Sequence, residues 1–464
     1  MHGTPAAADQ TVSRLQRCLL FLLAFAATLP AAQVAVALPG PTGTLFAGAP
    51  STGCVASTLG GACTAAAGLD GAADVEVSAD GAHVYVAASG ASLSATFERE
   101  AGGAFTRSVV PCIGAAGPSG CTAATGLGGV ASIALSPDGR RVYAASPTRS
   151  AISALTRDAT TGALTQGPNA CVADAVHSEL GSIASEPGCA AVQGVAGPAD
   201  LAASPDGRHI YVAAGVADAV SLLTRSSIDG SLTQPVGVTR CISTDTDPGP
   251  VIVLRDPDCE AAAPLAGASA VTVSPDGAHV YVAAAISRTV VVFARNAITG
   301  ALSLSSCVSD DLGGDTGGVP AQTECSAAQG LGDPAALAIS PDGRHVYVAS
   351  PNSGSVAAFA RDPQSGGLAQ LVPGCLTDSS EPATDAQCVA GGRLSGASDL
   401  ALSSDGNHLY LAATERDAVV VFSRDAVSGQ VVPVAGVDGC VGSLLNDAGC
   451  RHGEALARPQ AIAR

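Results

Sequence analysis

The stretch Ser340-Pro341-Asp342-Gly343-Arg344-His345-Val346-Tyr347-Val348-Ala349 decides the fold of this 464-residue chain. Proline presets φ, aspartate hydrogen-bonds its own backbone and glycine accepts a positive φ, so the first four residues predict a tight hairpin turn. A small and aliphatic segment, residues 336–339, precedes the turn, and a tyrosine-bearing segment follows it. Both segments are continuously apolar, as expected of strands that are covered on both faces.

The turn occurs six times along the chain with similar neighbours. Its first residues are Ser78, Ser136, Ser204, Ser274, Ser340 and Ser403, with spacings of 58, 68, 70, 66 and 63 residues. Each tyrosine strand is followed by a third strand that ends in arginine, such as residues 290–295, and by a fourth strand, such as residues 301–304. Four antiparallel strands per unit, covered by neighbouring units, are typical of a propeller blade. A solenoid of β-units is the alternative, and the two chain ends favour a closed ring.

The cysteines count the repeats. Apart from Cys18, fourteen of the 15 cysteines form seven local pairs, each placed between a fourth strand and the next first strand. The pairs are Cys54-Cys63, Cys112-Cys121, Cys171-Cys189, Cys241-Cys259, Cys307-Cys325, Cys375-Cys388 and Cys440-Cys450. Zinc is the alternative, but the spacings vary too widely and most pairs lack a histidine. In an exported chain this pattern predicts disulfides, each worth about 2–3 kcal/mol.

Seven cysteine pairs and six motifs require an incomplete seventh unit. Residues 41–45 match a fourth-strand start, and residues 459–463 match a first-strand start. We therefore predict an all-β protein: a β-propeller on a seven-fold repeat, with six complete four-stranded blades and an incomplete seventh shared between the N- and C-terminal ends. We expect its two middle strands, roughly 30 residues, to be absent because the sequence is truncated from a longer parent.

The N-terminal region predicts export. Arg14 and Arg17 precede a run, residues 18–29, that is apolar apart from Thr28, and residues 35–37 offer a small-x-small cleavage site. We expect residues 1–37 to be a signal peptide and residues 38–464 to be the propeller domain, secreted or extracytoplasmic (periplasmic or at the cell surface). An uncleaved anchor is the alternative, because the apolar run is nearly long enough to span a bilayer.

Composition limits the partners. The net charge is −18 with a pI near 4.6, and all 22 basic residues are arginine. Such a surface repels nucleic-acid phosphates and anionic lipids, so we expect no nucleic acid and no membrane association after signal cleavage. The absence of lysine excludes Schiff-base and P-loop lysine chemistry. We expect a bacterial monomer without a cofactor.

A catalytic site must break the repeat, because one substrate needs one arrangement of groups. The tyrosines fill one slot, and five histidines (His83, His209, His279, His345 and His408) fill another, so we interpret both as structural. An arginine ends every third strand, for which we predict a repeated salt bridge or hydrogen bond to the next turn; a ring of arginines gripping an anionic substrate is the alternative. Only His177 and His452 are unique outside the signal region, and we expect exposed loop positions for both. Catalytic residues remain unassigned.

Acidic residues are concentrated in two cysteine loops. Asp245, Asp247, Asp256 and Asp258 lie in one loop, and Asp310, Asp311 and Asp315 lie in the next. Oxygen ligands on constrained loops can bind Ca²⁺, which makes these residues candidate ligands. Neither loop has an EF-hand pattern, and acidic loops of a −18 protein are usually solvated, so we favour solvated loops without metal.

The repeat at residues 340–349, with relatives at 204–213 and 274–283, resembles the YVTN and lactonase-like group of seven-bladed β-propellers. The resemblance covers residues 41–464 and implies the fold. That group is similar in architecture to 6-phosphogluconolactonases and carboxymuconate cyclases, and also to non-enzymatic cell-surface repeat proteins. A catalytic Arg/His/Glu set of the enzymes cannot be mapped onto this sequence.

The cysteine loops vary in length and charge, and variable loops on a rigid scaffold are the usual location of binding. We therefore expect an extracellular or cell-surface scaffold that binds an unknown protein or small-molecule ligand through its disulfide-closed loops. The alternative is a lactonase-type enzyme acting on a small anionic lactone in the central channel. That enzyme would need unrepeated Arg, His or Glu with perturbed pKa values there. The first strands supply mainly Ala, Leu, Val and Ser, which favours the scaffold.

Overall fold

The computed structural model describes residues 38–39, 45–46, 55–56, 64–65, 69–99, 105–115, 121–175, 186–237, 240–244, 259–310, 325–378, 388–443, 450–452 and 458–463. Six of its sheets contain one sequence repeat each and stand in a ring, with successive first strands adjacent around a central axis. We number them blade one to blade six in chain order. The all-β propeller predicted from the repeat is confirmed.

The strands of each blade follow one another outward from the axis. First strands are Ala72–Val77, Ser132–Leu135, Pro198–Ala203, Ala268–Val273, Ala336–Ile339 and Ala397–Leu402. Second strands are His83–Ala88, Arg141–Ser146, His209–Ala214, His279–Ala284, His345–Ser350 and His408–Ala413. Third strands are Leu93–Arg99, Ala151–Arg157, Ala219–Arg225, Thr289–Arg295, Ser355–Arg361 and Ala418–Arg424. Fourth strands are Phe105–Gly114, Leu164–Asp174, Leu302–Asp310 and Leu368–Asp378; in blades three and six they are split into Leu232–Thr233 with Cys241–Thr244, and Val431–Pro433 with Cys440–Gly442. In the part of the chain that the structure describes, short 3₁₀ turns span Pro147–Arg149, Thr414–Arg416 and Gly436–Gly439.

The Ser-Pro-Asp-Gly turn joins the first and second strands. In blade five, the Ser340 hydroxyl donates to Asp342 Oδ1 (2.5 Å), and Asp342 Oδ1 accepts from the backbone N–H of Arg344 (3.1 Å). The N–H of Gly343 donates to the Ser340 carbonyl (2.8 Å), and Gly343 has a φ of +69°, where a side chain would be strained. Each residue of the motif therefore has the turn function that its chemistry predicts.

The hydrophobic core lies between blades. Second strands such as His209–Ala214 are buried at every position. Tyr211 of blade three shares one cluster with Val280 and Phe293 of blade four, and each is completely buried. Burial on both faces explains why these strands are continuously apolar.

A short fifth strand, which the repeat did not predict, lies parallel to each fourth strand. These strands are Thr122–Ala123, Ala190–Val192, Glu260–Ala263, Ser326–Ala328, Val389–Gly392 and Arg451–His452. In blade two, Val172 pairs with Ala190, directly beside the Cys171–Cys189 disulfide. The bond brings the returning chain alongside the strand that it has just left.

Six of the seven predicted disulfides are present with the predicted partners. They are Cys112–Cys121, Cys171–Cys189, Cys241–Cys259, Cys307–Cys325, Cys375–Cys388 and Cys440–Cys450. The predicted pair Cys54-Cys63 lies outside the described residues. Disulfides persist in oxidising compartments, so their number indicates an extracytoplasmic location.

Short segments near both ends of the chain lie outside the six blades. The backbone N–H of Ile462 donates to Asp399 Oδ2 (2.7 Å) in blade six, while Ala461 and Ala463 contact the core of blade one. Near the N-terminus, Val55–Ala56 pairs in parallel with Thr64–Ala65, as fourth and fifth strands do elsewhere. A further pair, Leu38–Pro39 with Leu45–Phe46, is antiparallel.

The predicted signal peptide, residues 1–37, lies outside the described residues. Among the residues that are described, no helix combines the length and apolarity needed to cross a bilayer.

Candidate functional site: the central cavity

A cavity of about 530 Å³ occupies the ring axis. First strands of all six blades line it, together with Ile462 and Ala463, and it extends to the Ser-Pro-Asp-Gly turns, where Pro137, Pro205 and Pro275 form part of its wall. The first strand of each blade has no neighbouring strand on the edge that faces the axis. The cavity wall therefore consists of unpaired backbone N–H and C=O groups in alternation with small side chains.

Four carboxyl groups break the symmetry of this wall: Asp74, Glu76, Asp200 and Asp399. The three aspartates occupy one slot, four residues before the motif serine, in blades one, three and six. Blades two, four and five have Ser132, Ala270 and Ala336 there. Among the residues that line the cavity in the described part of the chain, none is Arg, Lys or His.

Each aspartate is fixed by backbone donors of two blades. Asp200 Oδ1 accepts from the N–H of Leu201 (2.8 Å) and from the Ser132 hydroxyl (3.0 Å), while its Oδ2 accepts from the N–H of Val271 (2.8 Å) in blade four. Asp74 Oδ2 likewise accepts from Ile133 of blade two (2.8 Å). Because inner-edge N–H groups have no strand partner toward the axis, the carboxylates satisfy donors that would otherwise be unpaired.

The protein environment raises the pKa of all three aspartates. Burial raises the pKa of Asp399 to about 7, against the opposing effect of N–H donation from Ile462 and Leu400. Burial, followed by the neighbouring Glu76 carboxylate, raises the pKa of Asp74 well above its ordinary value. The pKa of Asp200 is also raised by burial. Near neutral pH the cavity therefore holds carboxyl groups in both protonation states, which can accept and donate protons.

The arginines that end the third strands lie at the junctions between blades. Arg295 of blade four donates from Nε to the Tyr211 hydroxyl (2.8 Å) and from Nη1 to the Gly277 carbonyl (2.9 Å) of its own turn. Its Nη2 lies 2.7 Å from Asp206 Oδ2 and 2.8 Å from His209 Nδ1 in blade three. The Tyr211 hydroxyl donates to the Gly300 carbonyl (2.7 Å).

The same contacts recur at the other described junctions. The arginine–tyrosine pairs are Arg157–Tyr85, Arg225–Tyr143, Arg361–Tyr281 and Arg424–Tyr347. The predicted bond from these arginines to a turn is present at the five junctions, but the turns are those of the same and of the preceding blade rather than the next turn. The alternative, arginines that converge on an anionic substrate, is wrong because none of them lines the cavity.

The repeated histidines have a structural role in four of these junctions. Burial, and then the adjacent arginine, lowers the pKa of His83, His209, His279 and His345. A neutral imidazole can accept a hydrogen bond from the guanidinium through Nδ1. In blade two Arg141 takes this slot and donates from Nε to the Asp229 carbonyl (2.9 Å) instead.

Few of the other predicted candidates can be placed. Of the calcium candidates, Asp310 is described: its Oδ2 accepts from the N–H of Leu331 (3.2 Å). The rest, Asp245, Asp247, Asp256, Asp258, Asp311 and Asp315, lie outside the described residues, as does His177; His452 is described as backbone in a fifth strand. Within the described ranges, no three metal-binding side chains come together.

Sequence reasoning missed the cavity carboxylates. The first strands do supply mainly small and aliphatic residues, but Asp74, Asp200 and Asp399 share a fixed offset from the motif serine that other repeats fill with Ser or Ala. When the repeats are aligned at that serine, three of them have an aspartate at this position and the other three have Ser or Ala. That slot was the available signal.

Comparison with known proteins agrees with this architecture. The profile of the family described as "Lactonase, 7-bladed beta-propeller" matches residues 175–312 and 314–389. No curated protein sequence matches the chain significantly.

Solved structures share the fold at low identity. The periplasmic gluconolactonase PpgL of Pseudomonas aeruginosa is 18% identical, with 86% of this chain and 93% of that chain covered and a TM-score of 0.53. A 6-phosphogluconolactonase-like protein of Bacteroides fragilis is 16% identical, with 78% and 82% covered and a TM-score of 0.51. The repeats at residues 175–389 are therefore similar to the lactonase family of seven-bladed β-propellers.

Proposed function

We propose that this protein is an exported lactone hydrolase whose active site is the carboxylate-lined central cavity. The observation that carries the proposal is the convergence of Asp74, Asp200 and Asp399, three groups with raised pKa values in a slot that the other three blades fill with Ser or Ala, on one cavity of about 530 Å³. Perturbed acids that break a structural repeat are typical of catalytic sites. The family match supports the reaction class.

The negative charge of the cavity favours neutral lactones over anionic ones. Those of its carboxyl groups that are ionised would repel a phosphorylated or carboxylated lactone, and no cationic side chain of the described lining would compensate. We therefore assign a neutral lactone as substrate, rather than the anionic lactone expected from the sequence. The product hydroxy acid carries a new carboxylate, and the same repulsion favours its release.

Two of the carboxyl groups have different roles in the hydrolysis. Ionised Asp399 accepts a proton from a water molecule, and the oxygen of that water attacks the lactone carbonyl carbon. Protonated Asp74 donates a hydrogen bond to the carbonyl oxygen, where negative charge develops. Collapse of the tetrahedral intermediate breaks the ring C–O bond, and the proton held by Asp399 passes to the leaving alkoxide. Positioned general bases contribute roughly 10²–10⁴-fold to such reactions.

The test is hydrolysis above the uncatalysed rate. Glucono-1,5-lactone and 6-phosphogluconolactone would be compared in a pH-stat at pH 7, with wild-type protein, Asp399→Asn and the control Asp229→Asn, whose carboxyl lies in an exposed turn. We expect turnover of the neutral lactone, a loss of about 10²-fold or more in Asp399→Asn, and wild-type activity in the control. Absence of turnover, or full activity of Asp399→Asn, would refute the proposal.

The binding scaffold is the second candidate. It is favoured by the disulfide found in each described blade at the ends of a segment that varies in sequence between blades, since variable loops on a rigid scaffold are the usual location of binding. Replacement of residues 379–387 by a glycine-serine segment of equal length, between Cys375 and Cys388, tests it. A ligand captured by wild-type protein from the source culture medium should be lost by the variant, whereas equal capture would contradict this role.

A further inference from the structure

The three cavity aspartates differ in the number of hydrogen bonds that their carboxyl groups accept. Asp74 and Asp399 each accept from two backbone N–H groups, one at 2.7 Å and one at 2.8 Å. Asp200 has two backbone donors as well, and it accepts a third hydrogen bond from the Ser132 hydroxyl (3.0 Å). Because hydrogen bonds donated to a carboxylate stabilise its ionised form, the third donor favours the Asp200 anion over the other two.

The extra donor comes from the slot that the aspartates themselves occupy. Ser132 has this slot in blade two, and its hydroxyl reaches the aspartate of the following blade. Blade five, which precedes Asp399 in the same way, has Ala336 in the slot, and a methyl group cannot donate. The Ser132 side chain is buried, so water competes little for its bond to the carboxylate.

The surroundings of Asp200 contain further carboxyl groups and no cation. The titratable side chains of the described lining that face it are Asp74, Glu76 and Asp399. Blades two, four and five and residues 462–463 add no titratable side chain to this lining. On the strand behind Asp200, His209 and Tyr211 belong to the junction with blade four, where both contact Arg295. A negative charge on Asp200 therefore acts on the other cavity carboxyls without compensation, and like charges oppose one another's ionisation.

The directions of the pKa shifts agree with this arrangement. Burial raises the pKa of Asp200, and the hydrogen bonds from two backbone N–H groups and from the Ser132 hydroxyl oppose that rise. Burial is also the first cause of the raised pKa of Asp399 and of Asp74, and the charge of Asp200 adds to the rise at both.

We propose that Ser132 holds Asp200 as the fixed anion of the cavity, and that this anion keeps Asp74 protonated and makes Asp399 a stronger base. The inference rests on the proposed function, in which Asp399 takes a proton from water and Asp74 donates a hydrogen bond. Ser132 and Asp200 are then positioning residues. Neither exchanges a proton with the lactone or with the attacking water, and together they set the protonation of the two groups that do.

Titration of the carboxyl groups tests this inference without a substrate. Protein labelled with ¹³C at the aspartate carboxyl carbon would be followed by NMR from pH 3 to 9, with each cavity signal assigned by its Asp→Asn variant. We expect Asp200 to titrate at the lowest pH of the three and Ser132→Ala to raise its midpoint by about one pH unit. Asp200→Asn should lower the midpoint of Asp399 by a similar amount. The matched control is Ser269→Ala, whose hydroxyl donates to a carbonyl (2.6 Å), and it should leave all three midpoints unchanged.

A gain of the same donor is the converse test. Ala336→Ser places a hydroxyl in the blade that precedes Asp399, and the midpoint of Asp399 should fall. An Asp200 midpoint that Ser132→Ala leaves unchanged would overturn the inference, and so would an Asp399 midpoint that neither Asp200→Asn nor Ala336→Ser moves. Ser132→Ala removes a single oxygen atom, so that comparison holds even if Asp200→Asn fails to fold.

The pH dependence of lactone hydrolysis is the second readout. Both limbs of the kcat/KM profile should shift to lower pH in Asp200→Asn, because Asp399 and Asp74 both lose a neighbouring negative charge. Ser132→Thr retains the hydroxyl and should keep the wild-type profile. Limbs that stay in place in Asp200→Asn would contradict the positioning role. Absence of hydrolysis by wild-type protein would refute the proposed function, whereas the NMR midpoints, which need no turnover, decide separately whether Ser132 and Asp200 set the charge of the cavity.

Discussion

Arg295 and Tyr211 join blades four and three through a 2.8 Å hydrogen bond from Nε to the phenol oxygen, with the guanidinium carbon 6.0 Å from the ring centroid. The arginine ends a third strand, and the tyrosine lies on the second strand of the preceding blade. Blades two to six are each tied to the preceding blade at a buried polar point as well as through apolar packing. Such ties couple the stability of neighbouring repeats.

Loss of one junction arginine should destabilise the whole ring. Arg295→Ala leaves the Tyr211 hydroxyl and the imidazole of His209 without their buried donor, so we expect the free energy of unfolding to fall by about 1–3 kcal/mol. Urea denaturation followed by circular dichroism measures the change. Arg99→Ala is the matched control, because that arginine has the same slot but is exposed; its effect should stay within about 0.5 kcal/mol. Equal losses in the two variants would contradict the junction model.

A glycine that covers a junction histidine should not tolerate a side chain. Gly366 has a φ of +74°, and a Cβ there would lie 2.3 Å from Cδ2 of His279. We expect Gly366→Ala to lower the midpoint of thermal unfolding, through a loss of at least about 1 kcal/mol. Gly167→Ala should be nearly neutral because nothing lies within 4 Å of its Cβ position. A stable Gly366→Ala protein would show that the histidine can move aside without cost.

Stability should fall as pH rises through the range in which the cavity aspartates ionise. A folded-state pKa of about 7 for Asp399, above its ordinary value of 3.8, means that the folded protein favours the protonated form. Its stabilising effect is complete below pH 4 and is lost between about pH 4 and 7. Turn carboxyls act oppositely: hydrogen bonds from Ser78 and other donors hold the pKa of Asp80 low, and Arg295 helps to lower the pKa of Asp206 to about 2, so acid below pH 4 destabilises.

The measurement is the urea midpoint at a series of pH values from 3 to 8. We expect a maximum near pH 4, and a shallower decline toward pH 7 in Asp399→Asn than in wild type. Asp229→Asn should retain the wild-type slope in that range, because the pKa of Asp229 is lowered to about 2. A decline of unchanged steepness in Asp399→Asn would show that its carboxyl does not titrate there.

Removal of one disulfide should destabilise the oxidised protein and leave the reduced protein unaffected. Cys171→Ala with Cys189→Ala opens a loop of sequence separation 18, and we expect a loss of about 3 kcal/mol. Equilibrium unfolding with and without a phosphine reductant separates the two states. A difference between variant and wild type that persists after full reduction would mean that the cysteines act by packing rather than by cross-linking.

The fold could be predicted from sequence because each local signal repeats. Proline, aspartate and glycine specify the turn, and the tyrosine slot specifies a buried strand, at Tyr347 as at Tyr211. The parallel fifth strand was not predicted, because its two to four residues carry no periodicity and its position depends on the disulfide. Sequence patterns identify the longer strands, but the position of this short strand is determined by a disulfide bond.

The candidate site was harder to predict than the fold. Asp200 and Asp399 are single charged residues in largely apolar strands, which usually indicates an exposed side chain. Their role depends on the unpaired inner edge of the next blade, where Val271 and Ile462 offer N–H groups to the axis. That relationship joins residues 71 and 63 positions apart and exists only once the ring has formed.

The disulfides also change what a protease can do to this protein. A cut anywhere between Cys171 and Cys189 would break the backbone, yet both fragments would stay joined by the S–S bond and by the strands on either side. The same holds at each of the other closed loops. The segments between paired cysteines could therefore be nicked, lengthened or exchanged without opening the ring, so that their sequences are free to diversify while the axis keeps its geometry.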